Sequence, residues 1–117
     1  MDEQTRGRLV AGGVDVDKTL ERFGGSEALM MKYMRKFPLD PSMGALKQAM
    51  AAGDRAVMKT ATHTLKGISG NLGLTALFDA TCALMTRLRE GEDTDVAALY
   101  AAVAEHYDTA LLALDGI

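Results

Sequence analysis

The chain has 117 residues, one cysteine and a net charge of −3 from 16 acidic and 13 basic side chains. That length suits one domain with a core large enough to do without disulfides or metal. The charge excludes bulk attraction to nucleic acid or an anionic membrane, and a lone Cys82 excludes an internal disulfide or a multi-cysteine metal site. Hydrophobic residues make up 48% but aromatic ones only 5%, so Ala, Leu and Met fill the interior, and these are helix formers. The composition therefore predicts an all-α protein. The first residues lack the apolar run of a signal peptide, and no stretch is long and apolar enough to span a bilayer. The cytoplasm is the expected compartment.

Residues 1–12 are polar and run into Gly12-Gly13, which reads as a loose, flexible N-terminus before a domain of residues 13–117. Asp15 can cap a short helix with Val16, Leu20 and Phe23 on one face, ended by Gly24-Gly25. Ser26 starts a second helix carrying Leu29, Met30, Tyr33, Met34 and Phe37, and Pro38 to Pro41 breaks it. A third runs from about Ser42 to Ala52 with Met43, Leu46 and Met50, and stops at Gly53. Asp54 caps a fourth that continues to about Leu72. After Gly73, the residues Leu74, Leu77, Phe78, Thr81, Leu84, Met85 and Leu88 form a fifth stripe that ends at Gly91. Beyond an acidic turn, Val96, Tyr100, Val103, Tyr107, Ala110, Leu111 and Leu114 mark the last helix. Short loops between long amphipathic helices predict an antiparallel up-and-down four-helix bundle with additional short helices.

The fourth helix holds the chemistry. At roughly 100° per residue, Val57, Met58, Ala61, Leu65, Ile68 and Leu72 gather on a core-facing side. Ala56, Lys59, Thr60, His63, Lys66, Gly67 and Gly70 gather on the opposite side, which puts His63 near the centre of the solvent face. Lys59, Lys66 and Gly67 are three or four residues from it and border the imidazole. Neutral imidazole is a nucleophile, and neighbouring ammonium groups can stabilise an arriving phosphoryl group. Glycines cost a helix up to about 1 kcal/mol each relative to alanine. Two of them, Gly67 and Gly70, beside an exposed histidine suggest clearance for a partner that also meets Thr60 and Ala56. Between Arg55 and Leu72 there are three basic residues (Arg55, Lys59 and Lys66) and no acidic one. Such a strip suits a partner with a carboxylate-lined site.

His63-Thr-Leu-Lys-Gly67, with Gly73 ten residues after the histidine, resembles the signature of the histidine-containing phosphotransfer (HPt) domain. Leu20-Glu-Arg-Phe-Gly-Gly25 resembles that family's opening segment, Gly53-Asp54 its turn into the histidine helix, and Asn71-Leu-Gly-Leu74 its exit; Cys82 also falls where many members have cysteine. The resemblance covers roughly residues 13 to 112. It implies a phosphocarrier of a multistep phosphorelay that is not an enzyme and has no ATP-binding domain or cofactor of its own. His63 would be phosphorylated on Nε2, with Lys66, and Lys59 as a second cation, stabilising the phosphoryl group. Gly67 would leave room for docking. The partner would be a response-regulator receiver domain, free or at the end of a hybrid sensor histidine kinase, with Mg²⁺ bound by the receiver. Many members place Glu or Gln twelve residues after the glycine matching Gly73, within reach of Nδ1; here that residue is Met85, which accepts no strong hydrogen bond.

Two other readings stay open at this level. A helical adaptor could keep the docking face without carrying phosphate, which Met85 encourages. The chain could instead be the phosphorylated domain of a chemotaxis-type kinase, although Leu114-Asp-Gly-Ile117 reads as a finished end and favours a free-standing carrier. The exposed histidine face favours a monomer. His106 has only Glu105 and Asp108 beside it on its own helix, which is a poor metal set, so no metal site is expected. Cys82 and the methionines read as packing.

Overall fold

Capping sets most of the helix starts. In the computed structural model, which describes Met1–Ile117, four helices follow an Asp or Ser whose side chain accepts a backbone N–H of the first turn. They are α1 (Glu3–Ala11) after Asp2, α2 (Val16–Arg22) after Asp15, α3 (Glu27–Lys36) after Ser26, and α5 (Arg55–Asn71) after Asp54. Each such cap contributes about 1 kcal/mol. A 3-10 turn at Phe37–Leu39, containing Pro38, separates α3 from α4 (Ser42–Ala52). Left-handed glycines then stop α4 at Gly53 and α6 (Thr75–Glu90) at Gly91, with φ of 70° and 75°. The chain closes with α7 (Val96–Ala113).

The fold is all-α, and α4, α5, α6 and α7 pack as successive neighbours in an up-and-down bundle. Here α4 is the short helix that serves as a stave. Leu46, Leu65, Leu84, Leu88 and Val103 are fully buried or nearly so between the staves. Met30 and Met34 of α3 extend the same core, and the Phe37 ring packs at a tilt of 41° on Tyr107 of α7 with centroids 5.2 Å apart. No helix is long and apolar enough to cross a membrane.

Two expectations are corrected. Residues 1–12 do not form a loose terminus: α1 occupies most of them and lies against α2 and α7. Its single apolar anchor, Leu9, is fully buried, and Gly12 sits so close to Ala113 that an added Cβ would come within 2.3 Å of that residue's methyl. Arg6 pairs with Asp17, Arg8 donates to the Asp115 carbonyl, and the Met1 amino group pairs with Glu27.

The buried face of α5 is also rotated from the predicted one. Thr62 and Ser69 are fully buried, whereas Val57, expected in the core, is 40% exposed. The reason is that α5 is flanked by both α4 and α6, so its covered face is wide, and Ser69 can bury its hydroxyl by donating to the Leu65 carbonyl at 2.7 Å. The Thr62 hydroxyl has no partner within the chain.

Candidate functional site

The middle of α5 stays helical and uncovered for the reasons read in its sequence, and His63 projects there as an exposed side chain. The hydroxyls on either side of it turn to their own helix: Thr60 donates to the Ala56 carbonyl and Thr64 to the Thr60 carbonyl, each at 3.1 Å. Ala56 and Thr60 are exposed, and Gly67 has nothing within 4 Å of where a Cβ would stand. That face is open. Gly70 differs, because its missing Cβ would lie 3.1 Å from the Phe78 ring of α6. The space expected there for a partner is filled by a ring of the same chain.

The structure joins His63, Lys66, Gly67 and Gly70 in one shallow cleft of about 320 Å³, together with Arg22, Asn71 and Phe78. Thr60 is exposed and Lys59 half-buried on α5, and neither lines this cleft. A larger groove of about 580 Å³ adjoins it between α3 and the end of α5, with Arg22 and Asn71 bordering both. Its wall explains two apolar side chains outside the core: Leu29 is 40% and Tyr33 44% exposed, and Tyr33 stacks on Phe23 at 5.5 Å between centroids.

The positive strip has different members from those predicted. Arg55 pairs with Asp93 and donates to the carbonyls of Leu88 and Glu92, so its charge is neutralised at the far end of α5. Lys59 and Lys66 pair with no carboxylate, and neither does Arg22. Arg22 is the cation that sequence reasoning missed. It lies 41 residues before His63, at the end of another helix, and donates through Nη1 to the Gly70 carbonyl. The one hint was its place in the Leu20–Gly25 segment that carried part of the resemblance.

The end of α5 is held as closely as its middle is open. Asp15 donates its N–H to the Gly73 carbonyl at 2.9 Å, and Val14 bridges Leu74. Gly73 has φ +69°, and a Cβ there would stand 2.1 Å from Thr19 Oγ1 and 2.9 Å from the Asp15 carbonyl. Only glycine permits both that backbone and that approach. Met85 is buried, but it stands outside the main apolar cluster. No group of the chain holds a ring nitrogen of His63 by a hydrogen bond.

The site is thus a histidine side chain on an open helix face, beside cations that pair with no carboxylate. Such a surface suits the transfer of an anionic group between macromolecules. Comparison with known proteins agrees: the family model for the Hpt domain matches residues 39–114, which include all of α4 to α7. Neither the search of curated proteins nor that of solved structures returned a match. The chain belongs to the Hpt domain family, the phosphocarrier modules of two-component phosphorelays.

Proposed function

We propose that this chain carries a phosphoryl group on His63 and exchanges it with the active-site aspartate of a response-regulator receiver domain, free or part of a hybrid sensor kinase. The observation that supports this most is the cleft that joins exposed His63 and Gly67 with half-buried Lys66 on a face free of carboxylate pairing. In the forward step the neutral ring attacks phosphorus through Nε2. The N–P bond forms as the P–O bond of the aspartyl phosphate breaks, and the aspartate leaves as carboxylate with the bonding pair. Donation onward reverses these events at a second aspartate. Lys66 neutralises phosphoryl charge as it moves, Lys59 adds to the field from the preceding turn, and Gly67 lets the receiver approach. Mg²⁺ belongs to the receiver in this reading. The module works as a monomer in the cytoplasm, with Ala56 and Thr60 at the edge of the docking face.

The test is incubation with receivers phosphorylated by acetyl phosphate. The expected product is an acid-labile, base-stable label that is absent from His63→Gln. Label persisting in that variant overturns the assignment. Met85 favours a second reading, a phosphate-free adaptor, because a thioether cannot hold the ring as a carboxylate or amide would. A receiver that binds the wild-type chain yet leaves it unlabelled would select that reading.

A further inference from the structure

We infer that Arg22 is a docking residue of the transfer surface: α5 holds its guanidinium in place, and it offers its charge to a carboxylate of the receiver domain. The inference rests on the phosphotransfer reading for the identity of the partner, and on three features of the chain for the role.

The first is placement. Arg22 is exposed, ends α2, and lines the cleft that also holds His63 and Lys66. The second is how it is held. Its only bond within the chain runs from Nη1 to the Gly70 carbonyl, in the last turn of α5. A helix C-terminus attracts a guanidinium and orients it, but a carbonyl does not cancel its charge. Asp15 and Asp79 line the adjoining recess, and neither pairs with it. Most N–H donors of the planar fork stay free, and a fork already fixed loses less freedom when it binds a carboxylate. α2 cannot drift away with it, since Asp15 and Thr19 are seated on Gly73.

The third feature is distance, which assigns the role. Gly70 lies seven residues beyond His63, about 10 Å along the axis at 1.5 Å per residue. A guanidinium anchored two turns along α5 from the imidazole is placed for a partner's rim more than for the transferring group. A receiver seated over His63 covers that span, and one that binds Mg²⁺ at its active site brings carboxylates to this face. Arg22 therefore acts on encounter and affinity, while Lys66 acts on the transferring group.

The test separates docking from chemistry. Arg22→Gln and the wild-type chain are titrated with the unphosphorylated, Mg²⁺-loaded receiver that the wild type binds best among receivers of the source organism. Both are also labelled with phosphoramidate, a small donor whose P–N bond breaks as the His63–P bond forms, releasing ammonia. The expected result is binding weakened about five- to tenfold at low salt, shrinking to less than about twofold near 0.5 M salt, where an exposed charge is screened. Phosphoramidate labelling, which needs no docked receiver, falls by a smaller factor than the low-salt receiver affinity does. Arg22→Lys keeps the charge without the fork and recovers part of the low-salt affinity. Three results overturn the inference: equal affinity of Arg22→Gln and wild type; a loss of equal size at low and high salt, which assigns Arg22 to structure alone; or the lack of any receiver that binds the wild type. Labelling of His63 decides the phosphotransfer reading separately, so either conclusion can fall while the other stands.

Discussion

Each end of α5 is fastened by an arginine reaching across to the last turn of a helix, and the two fastenings do opposite things with charge. At the N-terminal end Arg55, on α5 itself, donates to Leu88 at the end of α6 and also pairs with Asp93. A cation in the first turn of a helix opposes the macrodipole, so its neutralisation by Asp93 suits that position. At the C-terminal end Arg22 comes in from α2 to the Gly70 carbonyl and finds no carboxylate. One arginine is used up in holding the α6–α7 turn against α5. The other holds an end of the cleft and keeps its field. A cation paired with a carboxylate reads as structure, whereas one resting on a carbonyl remains available to a partner.

Substitutions can break or sharpen this contrast. The largest effect is expected at the C-terminal end, where backbone and not charge does the holding: Gly73→Ala combines a positive φ with a Cβ inside contact distance of Thr19 and Asp15. It should lower stability by roughly 3 kcal/mol, read as a fall in the urea midpoint. Arg55→Ala comes next. Asp93 is 92% exposed at its side chain, so the ion pair itself contributes little, and the two carbonyl bonds bring the expected loss to about 1 kcal/mol. Receiver affinity should not change; a drop as large as that of Arg22→Gln would erase the distinction between the two ends. The smallest effects separate the two glycines near His63. Gly67→Ala meets open space and should raise the urea midpoint by up to about 1 kcal/mol of stability. Gly70→Ala must displace the Phe78 ring and should show none of that gain. Equal gains at both positions would mean that the ring yields freely and that Gly70 is not a packing requirement.

Much of this was legible along the chain because it is local. Asp15, Ser26 and Asp54 cap helices within their own first turns, and Gly53 and Gly91 end helices by their own backbone freedom. His63 is exposed because the stripe of Met58, Ala61 and Leu65 turns it outward, and that stripe repeats every three to four residues. The helix at residues 3–11 was not legible. It has one apolar anchor, Leu9, and a glycine in its middle, so no periodicity betrays it, and its partners lie at Asp17, Glu27, Ala113 and Asp115. The burial of Thr62 and Ser69 is not legible in a hydrophobic pattern, because a hydroxyl residue reads as polar although a helix can satisfy Ser69 from its own backbone.

The sequence by itself therefore determined the helical class, six of the seven helices and the exposed histidine with its lysines and its open glycine. Caps, periodicity and side-chain identity act over one or two turns and need no partner. Tertiary structure alone decided which charges survive at the site and which glycine is free. Asp93 offsets the charge of Arg55, Phe78 fills the space at Gly70, and Arg22 enters the His63 cleft from 41 residues away. Each of these depends on which helix packs against which, and no pattern within a single helix encodes that.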